Sequence, residues 1–189
     1  PNWLTGHWIT GRIEGMALDR LIAQICADYG LEPPELLACD DFLDGYVIDR
    51  PMSARAALEP LLAVFGVDAG VSAGTVRFSG RATPDVLELG REDLVPDRRA
   101  VEIACVRAQE TELPRQISLG FADAESQYQR AAVSARRTGT VSRREQASET
   151  SAVLRRADAQ RLADIALQDS WISRETAEFS LRPGLLALE

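Results

Sequence analysis

The chain has 189 residues and a mass of 20.7 kDa, with 46% apolar and 26% charged residues; this is the composition of a globular protein able to bury a core of its own. All 21 basic residues are arginine against 29 acidic ones, a net charge of −8 that argues against a general nucleic-acid or anionic-membrane surface. Three cysteines without C-x-x-C spacing point to neither a disulfide framework nor a zinc site, and no apolar run reaches the roughly 20 residues of a membrane span.

In chain order, Leu18, Leu21, Ile22, Ile25, Cys26 and Tyr29 recur at helical spacing, which predicts an amphipathic helix over 16–29 stopped at Gly30. Cys26 falls on its apolar face as a small core hydrophobe. Pro33-Pro34 breaks the chain, Glu35 to Cys39 adds a helical turn, and GYVIDR predicts a strand over 45–50 ended by Pro51. Ser53 caps a second helix over 53–65, in which Pro60 forces a kink or a late start and Gly66 is the stop. Val67, Val71, Val76 and Phe78 flank a Gly, Ser and Ala turn, the pattern of a hairpin over 67–79.

Glycines and prolines spaced through 81–98 read as a linker. From Ala100 the runs VEIACVRAQ, QISLGFAD, SQYQRAAVSARR and SETSAVL read as consecutive antiparallel strands. A third helix follows over 158–173 with Trp171 near its end in the core, and a last strand, TAEFSLRP, buries Ala177, Phe179 and Leu181 on one face. The fold class is α+β: a strand, helix and hairpin module over 1–80, then an antiparallel β-rich part over 99–189 with a late helix. The abrupt ends, PNWLTGHWITG and LLALE, read as those of a segment cut from a longer protein.

GVSAG, Gly70 to Gly74, fits the pattern of a nucleophile elbow, but a strand rather than a helix follows it and the one histidine, His7, precedes it; Ser72 is therefore read as a turn serine. The acidic run Asp40, Asp41, Asp44 and Asp49 lacks the alternating ligands and terminal glutamate of a calcium loop, and is read as a solvated turn. His7 has no partner for zinc, and no phosphate-binding glycine motif is present, so no catalytic, cofactor or metal residue is assigned. Arg136, Arg137, Arg143 and Arg144 surround a Thr-Gly-Thr turn, read as a solvated hairpin tip or, functionally, an interface to an acidic neighbour. Trp3 and Trp8 are read as either interface anchors or core.

WLTGHWITGRIEGMALDRLIAQICADYGL, GYVIDRPMSARAALEPLLAVFGV, ELPRQISLGFADAESQYQRAAVSARR and RETAEFSLRPGLLALE, in this order, resemble the phage-tail-type domain of the multidomain baseplate hub protein of bacterial gene transfer agents, related to siphophage tail hub and tip proteins. The resemblance implies a non-enzymatic hub segment that closes a tail tube, as a homotrimer bound to other tail and baseplate proteins, without membrane or sequence-specific nucleic-acid contacts. It implies a particle component made in the bacterial cytoplasm. Family members carry a glycosidase-like barrel elsewhere, and these residues do not form eight β/α units. Two other readings stand beside it: a fragment of a carbohydrate- or peptidoglycan-acting enzyme using Asp41 and Asp44, and a ring-building domain of a secretion system, from MSARAALEPLLAVFGV and the hairpin after it.

Overall fold

The computed structural model describes residues 15–48, 50–72, 74–81, 88–95, 103–182 and 184. The order of elements begins β1 (Met16–Ala17), α1 (Leu18–Asp28), β2 (Glu35–Leu37), β3 (Phe42–Leu43), β4 (Gly45–Tyr46), α2 (Ala54–Phe65), β5 (Asp68–Ser72) and β6 (Thr75–Ser79). It continues with β7 (Ala104–Arg107), β8 (Pro114–Asp123), β9 (Arg130–Arg136), β10 (Arg144–Leu154), α3 (Arg156–Ile172) and β11 (Glu175–Glu178). Helices and sheets are both present and segregated, with a late helix, which is the α+β class read from the sequence.

The main sheet has the order β4-β10-β8-β9. Alternation along β8 buries Ile117, Leu119 and Phe121 on one face. Helices α2 and α3 cover that face, α2 against β10 and α3 against β8 and β9, while α1 packs on α2. One core results, joining Leu18, Ile22 and Leu61 of the first half to Phe121, Leu154 and Ala159 of the second. Ser53 caps α2, its Oγ accepting from the Ala56 N–H at 3.2 Å, and Gly66 closes the helix at φ 63°. The helix runs unbroken through Pro60; the proline leaves the Ala56 carbonyl without its helical donor, and the Tyr46 hydroxyl donates to the adjoining Ala57 carbonyl at 2.7 Å.

A second sheet, β2-β6-β5, carries the expected hairpin, with Ser72 paired to Thr75 at its tip and Gly74 at φ 84°. Ser72 therefore ends a strand followed by a strand. Glu35–Leu37 is not a helical turn: it is β2, parallel to β6, with Arg77 Nε held to Glu35 Oε2 at 2.8 Å. At Gly80 a Cβ would lie 1.9 Å from the Ala38 carbonyl oxygen, so only glycine lets the end of β6 pass this close to the end of β2.

Four further expectations are corrected. Residues 16–17 are not helical but pair as β1 with β3, so α1 starts at Leu18. The strand predicted over 45–50 is only β4, Gly45–Tyr46, paired with Val153 and Ala152 of β10, with one further contact from the Val47 N–H to the Ser151 carbonyl at 3.3 Å. The strands after Ala100 are not consecutively antiparallel: β8 and β9 are, but β10 passes to the far side of β8 and lies parallel to it, and β7 leaves this sheet to pair with β11. The face of the last strand is not buried, since β7 and β11 form a ribbon exposed along both strands, with Val106 66% and Phe179 42% exposed.

Candidate functional site

The parallel placement of β10 changes what the arginine-rich stretch is. Arg136 ends β9 and Arg144 begins β10, yet those strands do not pair, so residues 137–143 are not a hairpin tip. They form a strap that crosses the start of β8. Ser142, 1% exposed, fastens it, donating from Oγ to the Leu113 carbonyl, while Ser142 Oγ also accepts from the Arg144 N–H at 3.2 Å. Glu110 Oε1 accepts from the Val141 N–H at 3.3 Å, and Arg137 N–H donates to the Arg115 carbonyl at 2.9 Å.

Among the four arginines singled out in the sequence, two are engaged within the fold. Arg137 lies over the Trp171 ring at 4.1 Å from its centroid, and Trp171 Nε1 donates to the Pro114 carbonyl at 2.9 Å, so Trp171 belongs to the core as read. Arg144 Nη1 donates to the Glu112 carbonyl at 3.1 Å. Arg136 and Arg143 are exposed and have no partner among the described residues. The structure adds Arg115, which the strand register places beside them: Pro114 pairs with Arg144, and Gln116 with Arg136. Sequence reasoning missed it because it lies 21 positions before Arg136, and only the crossing of the strap brings the three strand ends together. Trp3, Trp8 and His7 lie outside the described residues.

The acidic run sits at the other end of β10, where Asp44 N–H donates to the Val153 carbonyl at 2.9 Å. Asp41 is bound by Arg161 at 2.7 Å and Asp44 by Arg155 at 3.6 Å, while Asp49 lies outside the described residues. Each carboxylate thus faces a guanidinium. Beside Asp41 lies a cleft of about 290 Å³ between α3 and the second sheet, lined by Asp40, Phe65, Arg81 and Leu162 among others, with Arg81 paired to Asp169. Both arginines of this cleft are neutralised across it, and the pairs tie the second sheet and the acidic turn to α3.

Among the described residues no three of His, Cys, Asp or Glu gather as a metal site, and no helix is long and apolar enough to cross a membrane. Cys26 and Cys39 are buried, and burial pushes both thiols above their usual range. Cys105 is exposed on β7.

A family model described as putative phage tail protein matches residues 53–189. Among solved structures, a chain in the virion of a native gene transfer agent (GTA) particle is similar at TM-score 0.84 and 28% identity, covering 99% of this chain and 43% of that one. The tail protein from Neisseria meningitidis MC58 is similar at TM-score 0.55 and 14% identity over 90% of this chain and 52% of its own. The 43 kDa tail protein of prophage MuSo2 from Shewanella oneidensis is similar at TM-score 0.51 and 13% identity, over 91% and 52%; these last two share the fold. The chain thus spans less than half the length of the gene-transfer-agent chain it matches. No curated protein matches it.

Proposed function

This chain belongs to the phage tail protein family, and on that premise we propose that it is a structural segment of a baseplate hub in a phage-like, gene-transfer-agent tail. The observation that carries the proposal is the near-complete overlap with a chain of the gene transfer agent particle, 99% of this chain at TM-score 0.84. In this reading the segment works by shape. One core locks the strand, helix and hairpin module to the main sheet, and three ion pairs, Arg81–Asp169, Arg161–Asp41 and Arg155–Asp44, fix the module to the start and length of α3. A scaffold of this kind holds its outer surfaces at fixed mutual angles, which is what a hub needs to seat other tail and baseplate proteins around an axis. Its copies number three in the particle, and it is made in the cytoplasm and ends in the tail.

The role is assembly rather than catalysis, in keeping with acidic side chains that are engaged in ion pairs. Immunogold electron microscopy of particles released by the source cells, with antibody against this segment, tests the reading. Gold at the tail tip is the expected result. Gold absent from particles and present on envelope fragments would overturn it.

A further inference from the structure

We propose that the end of the main sheet where β9 stops and β8 and β10 begin is a docking surface for an acidic protein partner, with Arg115, Arg136 and Arg143 receiving its carboxylates; this rests on the tail reading above. Five guanidiniums, those of Arg115, Arg136, Arg137, Arg143 and Arg144, belong to this end by strand register and by the strap. None of them forms an ion pair with a described residue. Arg55, Arg77, Arg81, Arg107, Arg155 and Arg161, elsewhere on the chain, do form ion pairs. In a chain of net charge −8, cations left without carboxylates at one end are not a matter of supply.

The carboxylates nearby, Glu110, Glu112 and Glu145, form no ion pair with these arginines. Glu110 accepts from the Val141 N–H and Glu112 Oε2 from the Gln109 N–H, each at 3.3 Å. Glu145 and Arg136 flank Gln116 from opposite sides, so a whole strand stands between them, about 10 Å at the usual strand spacing. Guanidiniums gathered at one end without carboxylate partners repel one another in the free protein. A carboxylate-bearing surface relieves that repulsion and gains planar, two-pronged guanidinium pairs. With Arg137 held on Trp171 and Arg144 on the Glu112 carbonyl, the strap is already rigid and the other three arginines are presented on a fixed frame.

Protein fits this surface better than nucleic acid. The aromatic of this end, Trp171, is 7% exposed and its ring is covered by Arg137, leaving no base platform. The net charge of −8 opposes a polyanion that extends beyond the patch.

The test places Arg115→Glu/Arg136→Glu/Arg143→Glu in the full-length parent protein and measures how much of it is recovered in purified particles. A control reverses Arg20, Arg156 and Arg182, which are exposed elsewhere on the chain. The charge-reversed surface is expected to lower recovery by about tenfold or more, the control to leave it unchanged, and the corresponding lysine variant, which keeps the charge but not the two-pronged geometry, to fall between them. Thermal melting of each variant identifies loss of folding, in which case the glutamine triple variant replaces the glutamate one. Wild type present in particles and the triple variant equally present would sink this inference alone; wild type absent from particles would sink the tail reading and this inference with it. A short DNA duplex bound by the purified protein and released by the same three substitutions would assign the surface to nucleic acid instead.

Discussion

At Gly80 a single missing methyl decides whether two strands can meet. A Cβ there would overlap the carbonyl of Ala38, which is itself held at φ 52°, and backbone cannot yield as a flexible side chain does. Gly80→Ala is therefore expected to destabilise by about 2 kcal/mol or more, read as a lower denaturation midpoint at unchanged slope. The buried thiols give a pH signature. Burial raises the folded pKa of Cys26 and Cys39, and of Tyr46, so the folded state holds its protons to higher pH than the unfolded state does. The contribution of these groups is complete below the unfolded values, about 8.5 for a thiol and 10 for a tyrosine, and is lost as pH rises from there through the folded ones. Melting temperature should fall more steeply above about pH 9 in the wild type than in Cys26→Ala/Cys39→Ala, once their different starting stabilities are subtracted. Equal slopes would show that the thiols titrate alike in both states.

Helix α2 illustrates how an element is specified and why others were not legible. Its cap, its apolar stripe and its terminal glycine are all local signals, and Ser53→Ala is expected to cost about 1 kcal/mol by equilibrium unfolding. Phe121, fully buried in the central strand β8, is expected to cost about 3–5 kcal/mol when cut to alanine. The three helices and the hairpin could be read from the sequence because their pairing partners lie within a few residues. Glu35–Leu37 misled because Glu and Leu favour helices, while the partner that makes it a strand, β6, lies some forty positions on and runs parallel. The arginine strap misled for a related reason: a short connection between two strands suggests a hairpin, and nothing local reveals that the second strand prefers the far side of β8. The alternation of Ala177, Phe179 and Leu181 was read as one buried face, but periodicity reports which residues share a face and not what covers it. A two-stranded ribbon exposed on both faces is marginal in water. Amides of Ala104–Arg107 and Glu175–Glu178 should exchange with solvent orders of magnitude faster than those of β8 after Pro114 in the isolated protein; equal protection would mean that the ribbon is stabilised within the chain.

Across the whole molecule, the basic strap and the acidic turn occupy opposite ends of β10, and the carboxylates of the acidic turn pair with Arg161 of α3 and with Arg155 just past β10. The ribbon leaves the fold beside the strap, since Arg107 precedes by three residues the Glu110 that holds Val141, and Glu175 follows by four the Trp171 that lies under Arg137. The same topology also sets a schedule. Tyr46 pairs with Ala152, so β4, and the apolar side of α2 that packs on β10, have no sheet to join until β10 has been made. At a synthesis rate of about 5–20 residues per second, the roughly one hundred intervening residues take about 5–20 s to emerge. Throughout that interval the side of α2 that packs on β10 has nothing to cover it, although α1 is already there for another side, a greasy helix waiting for its floor. Ribosome-bound chains stopped before Arg144 should therefore be protease-sensitive and retained by chaperones, and chains that reach past Ile172 should be neither; the last helix to be translated is the one that ends the dependence.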